Sequence, residues 1–239
     1  KRYHLSTVKT LIEKILVPIH PAGYPFIGAF LILTFILGLF LGSTSFVLGL
    51  VLSCWCIYFF RNPKRYAPQR EDLVIAPADG RVLSVLVMNP PLEMGLRGNN
   101  WTRISIFMNV FDVHVNRSPV EGKVIHKYYF PGSFINASLD KASEKNERAC
   151  LIFENKSGKT IGVVQIAGLI ARRILCKADE GEILLAGQIF GIIRFGSRVD
   201  VWLPNPVKLN VLVGQRTIAG ETILADFRSS DELGEVRVE

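Results

Sequence analysis

Residues 26–60 carry no charged side chain, 35 consecutive positions made mainly of Phe, Leu, Ile, Val and Gly. No other feature restricts the fold as much. A charge-free run well beyond ~18 residues is long enough for a membrane and longer than the core helices of soluble domains usually are. Small and polar residues gather inside it at Leu41-Gly42-Ser43-Thr44-Ser45. The run therefore reads as two helices joined at a bend. Each half is about 15 to 17 residues, so two spans of a ~30 Å hydrocarbon layer and one shallow re-entrant hairpin both satisfy it. Upstream, Lys1, Arg2, Lys9 and Lys14 stand against Glu13, while Val8, Leu11, Ile12, Ile15 and Leu16 recur at helical spacing. This pattern predicts an amphipathic helix on a membrane surface within residues 1–20, ended by Pro21, Gly23 and Pro25. It is not that of a cleaved signal peptide, because the apolar run starts late, is too long and has no Ala-x-Ala exit. Arg61, Lys64, Arg65 and Arg70 follow the run without an intervening acid. By the positive-inside rule both ends of the hairpin, and the chain beyond it, face the cytoplasm. The net charge of +7 fits an acidic lipid surface as partner.

From residue 71 the texture changes to short β-rich runs separated by Gly, Pro, Asn and Asp. Strands are expected at 80–87, 103–108, 122–130, 149–155, 160–167, 169–175, 182–186, 191–195 and 198–203, and in pieces over 210–225. No long helical pattern interrupts them. The expected fold is mainly β: an antiparallel β-sandwich or barrel-sandwich-like catalytic domain over residues 66–239, preceded by an α-helical membrane-associated hairpin within residues 1–65. The polar segment 133–148 reads as a mobile loop of the kind that serves as a lid. Residues 213–225 have the turn rhythm of a biotinyl/lipoyl-like β-sandwich. Cys54, Cys56, Cys150 and Cys176 form no disulfide framework and fit a reducing compartment.

Three positions could carry chemistry. Gly196-Ser197 lies between two apolar, β-branched runs, so it should form a tight corner between strands. There the Ser197 hydroxyl can reach the Gly196 carbonyl carbon, and Gly196 offers no side chain to obstruct it. The pair also reads as an ordinary surface turn, like Gly42-Ser43 and Gly132-Ser133. His114 sits in a polar patch, Phe111-Asp112-Val113-His114-Val115-Asn116-Arg117-Ser118-Pro119, between β runs, where a histidine can act as a base or merely cap backbone groups. His4 and His20 belong to the amphipathic start, and His126 alternates with apolar positions on a strand. Asp79 occupies the Pro/Gly-bounded turn Ala76-Pro77-Ala78-Asp79-Gly80, which is also a plain hairpin signal. Asp, His and Ser are together the parts of a base-activated nucleophile. No metal-ligand spacing, Gly-rich phosphate loop or nucleic-acid pattern is present.

Four stretches in one order resemble the phosphatidylserine decarboxylases in their short bacterial form. They are Phe60-Arg61-Asn62-Pro63 running to Ala76-Pro77-Ala78-Asp79-Gly80-Arg81-Val82; Val113-His114-Val115-Asn116-Arg117-Ser118-Pro119 with Gly122; Asn146-Glu147-Arg148; and Arg194-Phe195-Gly196-Ser197-Arg198-Val199-Asp200. The resemblance implies a proenzyme that cuts itself between Gly196 and Ser197, converting Ser197 into a pyruvoyl cofactor. It implies fragments 1–196 and 197–239 that stay together as a heterodimer, with a homodimer of these as the default assembly. Asp79 and His114 are implied to activate Ser197, and the pyruvoyl carbonyl to act as electron sink for CO2 loss from phosphatidylserine, with His114 as proton donor. Many relatives carry a second His three positions after the first. This chain has Arg117 there, so His114 serves both steps or Arg117 supports it, for example by binding lipid phosphate or carboxylate. The implied partner is phosphatidylserine in an anionic membrane, and the implied product phosphatidylethanolamine.

Two other readings stand beside this one. A decarboxylase of another phosphoserine-headed lipid would use the same three residues. A membrane-anchored, non-enzymatic lipoyl-like adaptor would explain the hairpin and the last strands but leave Asp79, His114 and the Gly196-Ser197 corner without purpose.

Overall fold

The computed structural model describes residues 17–139, 142–169, 173–194 and 196–228. Residues 1–16, which hold His4 and most of the expected amphipathic helix, lie outside them, as does Phe195. The chain divides into two compact units, Lys1–Lys64 and Arg65–Glu239.

In the first unit, helix α1 (Tyr24–Leu41) and helix α2 (Ser43–Phe59) form a hairpin. Pro25 lies in the opening turn of α1, where its missing N–H costs no hydrogen bond. Gly42, at φ +85°, makes the bend expected at residues 41–45. The packing is inside-out. Thr34 Oγ1 and Ser53 Oγ meet at 3.2 Å between the helices, and each hydroxyl also donates back to its own helix, Thr34 to the Phe30 carbonyl and Ser53 to that of Gly49. The outward positions are apolar, with Phe40 82 % exposed and Leu39 69 %. Small and hydroxyl residues between helices, with Leu and Phe outside, is the arrangement lipid favours. The helical segment Pro21–Leu41 is long and apolar enough to cross a membrane, while Ser43–Phe59 is shorter. The hairpin's ends are tied by His20 N–H donating to the Phe60 carbonyl at 2.8 Å and Asn62 N–H to that of Pro18 at 2.6 Å.

The second unit is mainly antiparallel β. In chain order its strands are β1 (Leu73–Ile75), β2 (Gly80–Met88), β3 (Trp101–Met108), β4 (Val115–Arg117), β5 (Gly122–Phe130), β6 (Arg148–Asn155) and β7 (Thr160–Ile166). There follow β8 (Ile174–Cys176), β9 (Ile183–Leu184), β10 (Ile189–Ile193), β11 (Ser197–Pro204), β12 (Lys208–Leu209), β13 (Arg216–Thr217) and β14 (Ile223–Asp226). A curled eight-stranded sheet has the order β13-β2-β3-β11-β7-β6-β5-β9, and two three-stranded sheets run β1-β14-β12 and β4-β10-β8.

Alternation along the central strands gives the large sheet a core on each face. Val199, Val201 and Leu203 of β11 join Ile104, Ile106 and Met108 of β3 and Val163 of β7 in the main core, shared with Phe190, Ile193 and Leu224 of the small sheets. Trp202 with Cys150, Ile152, Val164 and Ile166 forms the second core. By the same alternation Ser197 lies on the main-core side.

Most expected strands form within a residue or two of their expected bounds. The run expected at 169–175 is shorter: Leu169 bends away after the sheet ends and the described strand starts at Ile174. Strand β4 lies in the polar patch, and β1 and β12 were not among the expected runs, because two or three residues carry too little periodicity to show. The segment expected to be a mobile loop holds a short helix, Ala142–Lys145, and the Asn146 side chain ties residue 135 to Ala167, next to the end of β7. The Asn146 side-chain amide accepts from Ile135 N–H at 3.0 Å and donates to the carbonyls of Ile135 at 2.8 Å and Ala167 at 2.6 Å.

Candidate active site

Two ladders converge on Gly196-Ser197. The β10–β4 pairing sets Ile192 opposite Val115, so the next rung brings His114 beside Ile193, whose N–H reaches the His114 carbonyl at 3.3 Å. In the large sheet Ser197 pairs with Met108 of β3, and Arg198 with Ile166 of β7. The chain thus leaves one sheet at Ile193 and enters the other at Ser197 within a few residues. That change of direction is made at Gly196, whose φ of +66° favours glycine. The expected corner is present, and it is buried: Ser197 and His114 are both fully inaccessible.

His114 meets the corner directly. Its Nδ1 lies 3.0 Å from the Asp112 carbonyl and its Nε2 3.3 Å from the Gly196 amide nitrogen. A carbonyl can only accept and a backbone N–H can only donate, so the proton is on Nδ1 and Nε2 offers its lone pair. Adding the two bonds from the Gly196 nitrogen to its carbonyl carbon keeps Nε2 within about 5.8 Å of the bond expected to break. His126, by contrast, stacks on Tyr128 of β5.

Beneath Ser197 lies a small polar layer in the main core. Its Oγ sits 4.0 Å from Met108 Sδ, which also lies 3.8 Å from Asn116 Nδ2. Gln165 Nε2 donates to Asn116 Oδ1 at 2.8 Å. Gln165 Oε1 is buried and receives no hydrogen bond among the described residues. On the other side of the corner, Gly168 packs so tightly that a Cβ there would lie 1.9 Å from the Gly196 carbonyl oxygen.

Asp79 precedes β2, whose Gly80 packs on the Phe107 carbonyl of β3. Since β3 lies between β2 and β11, Asp79 and Ser197 flank the same end of one strand, with about 10 Å between the outer strands' backbones. The Asp79 carboxylate accepts from Arg65 at 2.7 and 2.9 Å and from the Ala219 N–H at 2.8 Å. Its hydrogen bonds go to these groups rather than to His114. Burial pushes its pKa above the ordinary carboxylate range, and the nearby Asp112 charge adds to this, against the lowering effect of Ala219 and Arg65. Arg117 lies at the other end of β4, opposite Ile189, where it donates to the Gly187 carbonyl at 3.0 Å. Burial, then the neighbouring Arg65 charge, lowers its pKa, while Asp79 and Glu221 oppose that shift.

Asp112 received no role from the sequence beyond membership of the polar patch. It is 4 % exposed, accepts from Asn109 N–H at 2.9 Å and is paired with Arg216. Its backbone carbonyl fixes the His114 ring, a role that any residue type at 112 could fill and that therefore leaves no signal in the sequence. Arg198, next to Ser197, is locked by a bidentate pair with Asp200 at 2.6 and 2.9 Å and by Ser105 at 2.8 Å. That clamp on β11 holds the first residues after the corner.

The family model described as phosphatidylserine decarboxylase matches residues 52–225.

Proposed function

The chain belongs to the phosphatidylserine decarboxylase family, a family of carboxy-lyases, and from that premise we propose that it matures by cutting itself between Gly196 and Ser197 and then decarboxylates phosphatidylserine to phosphatidylethanolamine. The observation that carries this is the buried corner in which the His114 Nε2 lone pair meets the Gly196 amide beside a fully buried Ser197.

Self-cleavage needs a hydroxyl, a base and a reachable carbonyl. Ser197 Oγ attacks the Gly196 carbonyl carbon and His114 Nε2 takes the hydroxyl proton. The C–N bond then breaks, leaving an ester between Gly196 and Ser197 Oγ and a free amine at position 197. β-Elimination releases Gly196 as a carboxylate, and hydrolysis of the resulting enamine with loss of ammonia leaves a pyruvoyl group at position 197. Asp112 acts as a positioning residue that keeps the proton on His114 Nδ1, and Arg216 compensates its buried charge. Asp79, held by Arg65 and with Arg117 close by, supplies a second carboxylate beside Asp112, and Arg117 supports it.

The residues present fit a pyruvoyl group at this place. Position 197 is buried beside Met108, whose sulfur also meets the Asn116 amide that Gln165 holds, so the pocket around it is small and shielded from water. When formed, the group supplies a carbonyl that condenses with a primary amine and draws electrons from the bond to the departing carboxylate. His114 returns a proton to the carbon that loses CO2.

Fragment 197–239 remains in the fold after cleavage, because β11 is hydrogen-bonded between β3 and β7 and β14 between β1 and β12. The apolar hairpin holds the enzyme at the membrane, with the basic residues after it on the cytoplasmic face, next to the anionic lipid it consumes. Measuring CO2 release from phosphatidylserine by the purified chain tests the reading. Turnover by wild type that disappears in Ser197→Ala supports it, and turnover that survives Ser197→Ala refutes it.

A further inference from the structure

The polar layer beneath Ser197 is out of place in an apolar core. Met108 belongs to the main core with Val199 and Ile193, and Asn116, Gln165 and Ser197 are as deeply buried as it is, none more than 1 % exposed. Two donors there share one poor acceptor. Ser197 Oγ lies 4.0 Å and Asn116 Nδ2 3.8 Å from Met108 Sδ, and a thioether accepts only weakly. Buried polar groups held so loosely are uncommon and call for a reason. Gln165 decides which end of the Asn116 amide faces the sulfur, because its Nε2 donates to Asn116 Oδ1 at 2.8 Å and so turns Nδ2 toward Sδ. Turning both amides over would keep their mutual bond but set the Asn116 carbonyl against the thioether, acceptor to acceptor. Holding Asn116 this way leaves Gln165 Oε1 without a hydrogen bond among the described residues.

The two donors lie close to each other. Atoms within 4.0 Å of one sulfur are at most about 8 Å apart, and rotation about the Cα–Cβ bond of Ser197 alone moves Oγ by about 2.5 Å. Met108, with three rotatable bonds, yields readily between them. In the first step of self-cleavage Oγ gives up electron density to the Gly196 carbonyl carbon, and a strong donor on it would slow the attack. The weak sulfur contact leaves its lone pairs free. The second step reverses the demand. His114 Nε2, having passed its proton to the new amine, takes the proton from Ser197 Cα. The Cα–H electron pair forms the Cα–Cβ double bond, the Cβ–Oγ bond breaks, and its pair stays on Oγ, now a carboxylate oxygen of Gly196. Negative charge therefore grows on Oγ in a site without water. Resting on the self-cleavage proposed above, we infer that Asn116 is a further catalytic residue of maturation: its amide N–H passes from the Met108 sulfur to Ser197 Oγ and stabilises the charge that this oxygen gains as the ester breaks. Gln165 is the positioning residue that keeps the donor end of Asn116 turned to the corner.

The test uses the full chain with Asn116→Leu, similar in shape but without the donor, and Gln165→Leu. Cutting is followed by intact mass with and without hydroxylamine, which attacks the ester at the Gly196 carbonyl and leaves a small fragment that starts with an intact Ser197. Without hydroxylamine, Asn116→Leu should cut about 100-fold more slowly than wild type, the usual cost of losing one donor to a developing oxyanion. With hydroxylamine it should cut as fast as wild type and yield the Ser197 terminus. Gln165→Leu should show the same pattern with a loss of about tenfold, since the donor is still present but no longer aimed. Asn116→Ser, which stays polar but takes the donor out of reach, gives the same reading if the Leu variant does not fold. Cutting at the wild-type rate without hydroxylamine overturns the inference. So does slow cutting that hydroxylamine does not restore, which places the defect in ester formation and marks a structural role. A wild-type chain that is never cut refutes instead the self-cleavage on which the inference rests.

Discussion

Substituting Gly168 by Ala should slow self-cleavage about 100-fold without unfolding the protein. Gly168 does not have a positive φ, so its backbone accepts alanine, and the difficulty is space alone. The added Cβ would lie 1.9 Å from the Gly196 carbonyl oxygen and 2.9 Å from its carbon. A carbon–oxygen contact needs about 3.3 Å, so the carbonyl must retreat by about 1.4 Å. The group that moves is the electrophile that Ser197 attacks. A displacement of about 1 Å in a reacting group costs on the order of 100-fold in rate, or about 2.7 kcal/mol of barrier. Overpacking also lowers stability, by about 1–3 kcal/mol. Gly122→Ala controls for this. Its Cβ would lie 2.6 Å from the Glu154 carbonyl oxygen on the β5–β6 ladder, a similar clash away from the corner. The assay is the half-time of cleavage after synthesis, read on denaturing gels, alongside thermal unfolding of each variant. Both variants should melt at lower temperature, and only Gly168→Ala should cleave about 100-fold more slowly. A folded Gly168→Ala protein that cleaves at the wild-type rate would refute the geometry assigned to the corner.

Three further outcomes are expected. Ser197→Ala should abolish cleavage while Ser43→Ala, in the bend between α1 and α2, leaves it intact, and equal effects on a gel would contradict the choice of bond. His114→Ala should lose decarboxylation and slow cleavage, and retained lipid turnover would remove His114 from the mechanism. Asp79 carries a pH-dependent term whose sign is fixed by its raised pKa. The folded state holds this proton more tightly than the unfolded chain, so the group's stabilisation is complete below its unfolded pKa of about 3.8 and is lost as pH rises through the folded value. The stability of wild type relative to Asp79→Asn, from denaturant unfolding, should therefore fall as pH rises through that window; a difference that grows with pH would contradict it.

Much of this site was legible because its parts have local signatures. Gly196-Ser197 between two β-branched runs gave the corner, and the charge-free run with its small-residue break gave the hairpin and its bend. What was not legible is set by pairings between distant segments. Strand β4 is only Val115–Arg117, and its polar Asn116 hid the extended conformation that carries His114 to Gly196. Arg65 reads in sequence as one of several basic residues after the hairpin. Only the fold shows that it binds Asp79, which the sequence offered as the partner of histidine. Gly168 and Asp112 had no signal of their own, since the first matters through the distant Gly196 carbonyl and the second through a backbone carbonyl that any residue type carries. Register between strands is decided by core packing over the whole sheet, and no short window of residues contains it.

The account turns on whether the bond between Gly196 and Ser197 breaks. Intact mass of the purified 239-residue chain under denaturing conditions measures this directly. The predicted result is two fragments of 196 and 43 residues, about 22 and about 5 kDa of the 26.7 kDa total, the smaller one starting with a carbonyl-reactive, amine-free residue in place of Ser197. A single uncut chain, in a sample that converts phosphatidylserine to phosphatidylethanolamine, would contradict it.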